Sequence, residues 1–179
     1  MKQSIPSLFF LLIVGCSDSI PIEASDTPSP DDLVAHSEEF RKEVIEVTDG
    51  VHVAVGYALA NAILVEGDNS NIIIDTTGTI ETAEEVKKLF DEINSNPVGA
   101  IIYTHNHADH TYGATVFAEE SNPEIYAHSS TGEYLSRVIG ILRPIISSRS
   151  NRMFGNALPK EEVENNGIGP FLEIGRDGR

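Results

Sequence analysis

The amino-acid sequence predicts an α/β domain in which helices cover a β-sheet. Three observations support this prediction. The chain has 179 residues, of which 40% are hydrophobic, and this is enough for one domain with a sizeable core. Residues 44–75 contain four short β-branched runs separated by turn residues. From residue 79 onward, apolar residues at helical spacing alternate with short apolar strands, as is typical of a sheet with helices packed on it.

The first four strands are predicted to form two successive hairpins. Asp49 and Gly50 lie between two β-branched runs, and this dipeptide is a strong signal for a tight hairpin turn. A Gly-Asp-Asn-Ser sequence separates the next two runs in the same way. The predicted strands are residues 44–48, 51–55, 62–66 and 71–75.

The longest predicted helix covers residues 79–94, where apolar side chains recur at helical spacing. Thr79 is its predicted N-cap, although Thr82 stands where a capping box has glutamate or glutamine. Pro97 and Gly99 end the helix before the next strand. The other predicted elements are a short helix at 33–40, a strand at 100–103, a helix at 111–119, a strand at 124–127 and a helix at 129–142.

The N-terminus resembles a bacterial lipoprotein signal. A positive charge at Lys2 precedes an apolar run at residues 8–14 that is too short to span a bilayer, and Gly15 and Cys16 follow it. This order predicts a signal peptide, lipidation of Cys16 and a lipid-anchored protein in the periplasm. Ser17 after the cysteine favours the outer membrane. The predicted organisation is a signal peptide at 1–15, a flexible tether rich in proline, serine and aspartate at 16–32, and one domain at 33–179.

The formal net charge of −16 argues against nucleic acid as a partner, because phosphate binding needs a basic surface. The same charge repels anionic substrates at long range. An anionic ligand would therefore need a local positive centre such as a metal ion.

The sequence THNHADH, residues 104–110, concentrates histidine directly after an apolar strand. His105, His107 and Asp109 alternate, so in an extended segment they would point to one side, and His110 would begin the next helix. The apolar strand would place them at the carboxyl end of a sheet, where α/β proteins commonly have their sites.

Imidazole nitrogen and carboxylate oxygen are good zinc ligands, and this close spacing allows two pairs of ligands to face two adjacent metals. Two metals about 3.5–4 Å apart can hold a hydroxide and polarise an ester oxygen. The pattern therefore favours a metal-dependent hydrolase over a histidine-rich surface loop.

The HxHxDH pattern is similar to the signature of the metallo-β-lactamase superfamily, and the strand that ends at Asp75 also fits that family. The resemblance implies an αββα sandwich, of which this chain would be the N-terminal part. It implies that His105 and His107 bind a first zinc. Asp109 and His110 would bind a second zinc in the catalytic centre. Asp75 would support the ligands from behind.

Residues 49–76 and 152–170 look like two stretches of the alkyl sulfatase branch, whose members hydrolyse alkyl sulfate esters to an alcohol and inorganic sulfate. Asn156 matches an asparagine that lies near the sulfate group in that branch. Phe154 stands where the branch has a tyrosine. The resemblance implies a small-molecule alkyl sulfate ester as the partner.

In that branch the remaining zinc ligands and a helical dimerisation domain lie downstream of the region that this chain matches. The sequence is therefore interpreted as a portion of a longer protein whose full-length form is a homodimer. Two alternatives stay open. One is another hydrolase of the same fold, a lactamase or a thiolesterase. The other is a truncated, non-catalytic lipoprotein that binds metal.

We expect Cys16→Ser to abolish membrane anchoring, because lipidation requires the cysteine thiol. Fractionation of cells that express the wild type and the variant would measure this, with Ser17→Ala as the matched control. The wild type and the control should fractionate with membranes, and the variant should be soluble or unprocessed. Equal membrane association of the variant would show that the lipid anchor is wrong.

Overall fold

The structure is a computed structural model that describes residues 30–155, 158–159 and 165–171. The predicted signal peptide, the lipidation site Cys16 and the predicted substrate contact Asn156 lie outside the described residues. Most of the predicted tether lies outside them as well.

The described residues contain one six-stranded sheet whose strands lie in chain order. The first four strands are antiparallel neighbours, whereas the fourth, fifth and sixth run parallel. Both predicted hairpins are confirmed, and Gly50 has the positive φ of 70° that the first turn requires. The strands are β1 (Glu43–Thr48), β2 (Val51–Val55), β3 (Ala62–Val65), β4 (Asn71–Ile74), β5 (Val98–Ile102) and β6 (Glu124–Tyr126).

The helices follow the predicted order with shifted boundaries. The first begins three residues earlier than predicted and ends in a 3₁₀ turn at Glu38–Phe40. The helix predicted at 111–119 is split in two at Tyr112 and Gly113. The last predicted helix continues to residue 153 through a π-helical turn at Val138–Leu142. The helices are α1 (Pro30–Ser37), α2 (Ile80–Ile93), α3 (Ala108–Thr111), α4 (Ala114–Ala118), α5 (Thr131–Arg137) and α6 (Arg143–Met153). Within the described residues, no helix has the length and apolar character needed to cross a membrane.

The core lies between one face of the sheet and helices α2 and α4. Alternate strand residues face it, since successive side chains of a strand point to opposite faces. From the sheet the core contains Ala54, Ala62, Leu64, Ile73 and Ile101, and from the helices it contains Ala83, Val86, Phe90, Val116 and Phe117. The prediction of helices packed on a sheet is confirmed.

Helix α2 begins as predicted. The Thr79 hydroxyl accepts a hydrogen bond from the backbone N–H of Thr82 at 3.2 Å, which satisfies one of the free donors of the first turn. The two threonine hydroxyls also lie 3.1 Å apart, so Thr82 adds a contact at the place where a capping box has glutamate.

The parallel pairing of β4 with β5 places the ends of these two strands at the same edge of the sheet. β5 begins two residues earlier than predicted, because Val98 is buried and pairs with Asn71. At the other end, the N–H of Asp75 donates to the carbonyl of Ile102 at 2.9 Å. The segments that follow β4 and β5 therefore lie side by side.

Candidate metal centre

The segment after β4 has an unusual backbone. Asp75 and Thr77 have φ values of 58° and 65°, which residues other than glycine rarely adopt. Both are buried, with 5% and 1% of their surface exposed. Such a conformation costs about 1–3 kcal/mol per residue and persists only where surrounding contacts impose it.

Contacts with the segment after β5 impose this conformation. The N–H and the hydroxyl of Thr76 both donate to the carbonyl of His110, at 2.9 and 3.1 Å. The N–H of Gly113 donates to the carbonyl of Thr77 at 3.2 Å. A Cβ atom on Gly113 would lie 1.9 Å from the Thr76 carbonyl oxygen, so only glycine permits this approach. The histidine-containing segment is thus fixed against the strained one.

The carboxylate of Asp75 joins the two segments. Its Oδ1 accepts the backbone N–H of Thr104 at 2.8 Å, and its Oδ2 accepts the Thr104 hydroxyl at 2.7 Å. The Nδ1 atom of His110 lies 2.7 Å from the same Oδ2. Burial opposes ionisation of this carboxyl, but the hydrogen bonds from His110 and Thr104 outweigh it and lower the pKa of Asp75.

The four predicted ligands lie together, although not in the way that their alternation suggested. The ring centroid of His105 lies 4.5 Å from that of His107 and 4.0 Å from that of His110. The Nε2 atom of His110 lies 3.4 Å from Oδ2 of Asp109. The predicted alternation is wrong for Asp109, which lies in helix α3, whereas the prediction that His110 lies in a helix is confirmed. The helical turn, rather than an extended chain, places these two side chains in contact.

The charges of the cluster depend on its hydrogen bonds. Burial opposes protonation of His110, but the hydrogen bonds to Asp109 and Asp75 prevail and raise its pKa to about 9. Burial also opposes ionisation of Asp109, and the contact with His110 prevails and lowers the pKa of that carboxyl. Burial and the neighbouring histidines His110 and His107 lower the pKa of His105.

The cluster fits zinc in donor type and in the spacing of one pair. Two ligands of a tetrahedral zinc with bonds of about 2.1 Å lie about 3.4 Å apart. The separation of Nε2 of His110 and Oδ2 of Asp109 is 3.4 Å. The Nδ1 atoms of His105 and His110 are hydrogen-bonded, so Nε2 is the nitrogen of each ring that can bind a metal. Among the described residues, no three histidine, cysteine, aspartate or glutamate side chains are already arranged to enclose an ion.

A cavity of about 470 Å³ adjoins the cluster. His107, Asp109 and His110 line one part of it, and much of the remaining wall is apolar. No sequence pattern identified these wall residues, because they come from three distant segments of the chain. The apolar wall residues are Phe40, Val55, Leu59, Ala60, Ile168 and Pro170.

His52 lies outside the cluster and has a structural role. The residue is 8% exposed, and its Nε2 lies 2.8 Å from Oε1 of Glu66. Asn94, at the end of α2, donates to the other oxygen of that carboxylate at 2.7 Å. His52 therefore helps to hold the end of α2 against the sheet.

Known proteins resemble this chain in sequence and in fold. The family model described as the metallo-beta-lactamase superfamily matches residues 55–173. A linear primary-alkylsulfatase of a Pseudomonas species is 31% identical over 119 residues, which are 63% of this chain and 22% of that protein. An alkyl/aryl-sulfatase of Saccharomyces cerevisiae is 32% identical over 117 residues, which are 64% of this chain and 17% of that protein. The chain thus spans about a fifth of the length of these two sulfatases.

A solved structure shows the same fold. The stereoselective inverting sec-alkylsulfatase from a Pseudomonas species aligns with a TM-score of 0.69 at 21% sequence identity. The alignment covers 82% of this chain and 25% of that protein. At this identity the likeness concerns the fold.

We expect Asp75→Asn to destabilise the fold by about 1.5–3 kcal/mol near neutral pH, the range for hydrogen bonds to charged groups. An asparagine presents N–H groups to donors on His110 and Thr104, so at least one of these contacts is lost. Urea unfolding would measure the loss, with Asp68→Asn in the exposed β3–β4 turn as the matched control.

The effect of Asp75→Asn should depend on pH in a defined direction. Folding raises the pKa of His110 to about 9, so its protonated form stabilises the wild type at neutral pH, and this contribution is lost as the pH rises through about 9. Because the pKa of Asp75 is lowered, the carboxylate stays ionised and keeps stabilising the fold until acid pH, where it is protonated. The difference in the free energy of unfolding between variant and wild type should therefore shrink at acid pH and at alkaline pH. A difference that stays constant across this range would contradict the assigned ion pair.

Proposed function

The chain belongs to the metallo-beta-lactamase superfamily of hydrolases, and on this premise we propose that it is part of a zinc-dependent enzyme that cleaves alkyl sulfate esters to an alcohol and inorganic sulfate. The observation that carries the proposal is the cavity in which the histidine and aspartate cluster meets an apolar wall. An alkyl sulfate has an anionic head and an apolar tail, and these two surfaces match its two parts.

In this proposal His105 and His107 hold one zinc, and Asp109 and His110 hold the second. When bound, the zinc ions supply Lewis acidity for hydrolysis. The contribution of the chain itself is to fix the ligands. Asp75 holds Nδ1 of His110 at 2.7 Å, and the helical turn of α3 keeps Asp109 beside that ring. A fixed ligand set costs little reorganisation during the reaction.

The cavity wall and the net charge act on different parts of the substrate. Apolar side chains such as Phe40 and Leu59 suit the alkyl tail, since burial of apolar surface contributes about 25 cal/mol per Å². The charge of −16 repels a sulfate head, but at physiological salt this repulsion is screened beyond about 8 Å. Short-range contacts at the metal centre therefore have to capture the head group.

We also propose that Asn156 donates to the sulfate group, a role that rests on the sequence resemblance. Phe154, where the alkyl sulfatase branch has tyrosine, follows α6 directly as its C-cap. A missing hydroxyl donor to a charged acceptor costs about 1.5–3 kcal/mol, so we propose that the enzyme turns over alkyl sulfates slowly. The lipid anchor at Cys16, the periplasmic outer-membrane location and a full-length homodimer belong to the same proposal.

We expect the full-length protein to release sulfate from dodecyl sulfate in a zinc-dependent reaction, measured as kcat/KM with and without a chelator. Asp109→Asn should lower kcat/KM by about 100-fold, because loss of a charged ligand costs about 3 kcal/mol. Asp68→Asn, the same change at an exposed turn, should leave kcat/KM within about twofold.

A β-lactam and a thiolester serve as alternative substrates in the same assay. Hydrolysis of either one without sulfate release would overturn the sulfatase assignment and favour a lactamase or a thiolesterase. Zinc binding without turnover of any of the three would favour the non-catalytic metal-binding lipoprotein.

A further inference from the structure

The hydroxyl of Thr104 lies between Asp75 and His105. Its oxygen is 2.7 Å from Oδ2 of Asp75 and 3.1 Å from Nδ1 of His105. The backbone N–H of the same threonine donates to Oδ1 of Asp75 at 2.8 Å, which fixes the position of the residue. Thr104 therefore links the buried carboxylate of Asp75 to the ring of His105.

The number of protons decides the direction of the two hydroxyl contacts. A threonine hydroxyl has one proton, and a carboxylate can only accept a hydrogen bond. The hydroxyl thus donates its one hydrogen bond to Oδ2 of Asp75, and toward His105 it can only accept. The Nδ1 atom of His105 must then carry its proton, which leaves the lone pair on Nε2.

We propose that Thr104 is a positioning residue that sets the tautomer of His105. Its hydroxyl donates to the Asp75 carboxylate and accepts from Nδ1 of His105. Asp75 then acts on two ring systems at once. It contacts His110 directly at 2.7 Å and reaches His105 through Thr104. Both rings are held through Nδ1, and Nε2 is the nitrogen of each ring that would bind a metal.

The role of Thr104 deepens the proposed metal function and rests on it. Partners that hydrogen-bond to a ligand histidine fix its tautomer and orientation, and their loss typically weakens metal affinity by about 10–100-fold. In the neutral ring Nε2 can bind a metal only when Nδ1 carries the proton. Without Thr104, His105 would divide between two tautomers, and only one of them could bind through Nε2.

The direct test is the tautomer of His105 in the metal-free chain, read from long-range ¹H–¹⁵N correlation spectra at a pH above the ordinary histidine range. The wild type should show the proton on Nδ1. Thr104→Ser keeps the hydroxyl and should preserve this state, whereas Thr104→Val should shift the population toward a proton on Nε2. Thr48→Val, the same change at an exposed position of β1, is the matched control.

A wild-type spectrum with the proton of His105 on Nε2 would overturn the proposal without any variant. So would a Thr104→Val protein that folds and retains the wild-type tautomer.

Zinc affinity, measured by competition with a chromophoric chelator, separates this proposal from the proposed function. Thr104→Val should bind zinc about 10–100-fold more weakly than the wild type, with Thr104→Ser and Thr48→Val within about twofold. If the full-length wild type binds no zinc, the proposed function fails, and the tautomer spectra still decide the role of Thr104. If Thr104→Val shifts the tautomer but binds zinc with the affinity of the wild type, then Thr104 has no role in metal binding.

Discussion

The carboxylate of Asp75 is the interaction on which the candidate site depends. It is 5% exposed and accepts hydrogen bonds from the backbone and hydroxyl of Thr104 and from His110. A buried anion is tolerable only when it is well satisfied, and removal of its partners would be costly. The parallel pairing of β4 and β5 brings these partners to the sheet edge, because both strands end there. The fold and the ligand geometry are thus coupled through one side chain.

This coupling has a conformational cost. Asp75 and Thr77 adopt left-handed backbone conformations, at about 1–3 kcal/mol each, and the surrounding contacts have to offset that cost. Thr76 contributes two hydrogen bonds to the carbonyl of His110, and Gly113 packs where no side chain fits. Strain that is held in this way is common at functional sites, where a rigid geometry matters more than local stability. The same contacts leave little freedom to the histidine-containing segment.

Much of this arrangement was predictable from the sequence, and the reasons are local. The hairpin at Gly50 and the cap at Thr79 follow from turn and capping chemistry, which act within a few residues. The clustering of the four predicted ligands followed from the HxHxDH pattern. The break at Gly113 was not predictable, because its cause is the carbonyl of Thr76, 37 positions earlier in the chain. The link through Thr104 and the apolar cavity wall also depend on contacts between distant segments. Periodicity does not report such contacts. The supporting role of Asp75 was expected only from the family resemblance, since an aspartate at the end of a strand is otherwise most simply a turn residue.

The central claim is that this chain presents His105, His107, Asp109 and His110 as zinc ligands in an arrangement set by Asp75. X-ray absorption at the zinc edge of the zinc-loaded chain tests it most directly, since it reports the ligand type and the bond lengths. The account predicts imidazole nitrogen and carboxylate oxygen at about 2.0–2.2 Å. Imidazole scattering should fall in His105→Gln and stay unchanged in His128→Gln, the same change at an exposed histidine after β6. Zinc with the spectrum of the hydrated ion, or a spectrum that is the same in both variants, would contradict the claim.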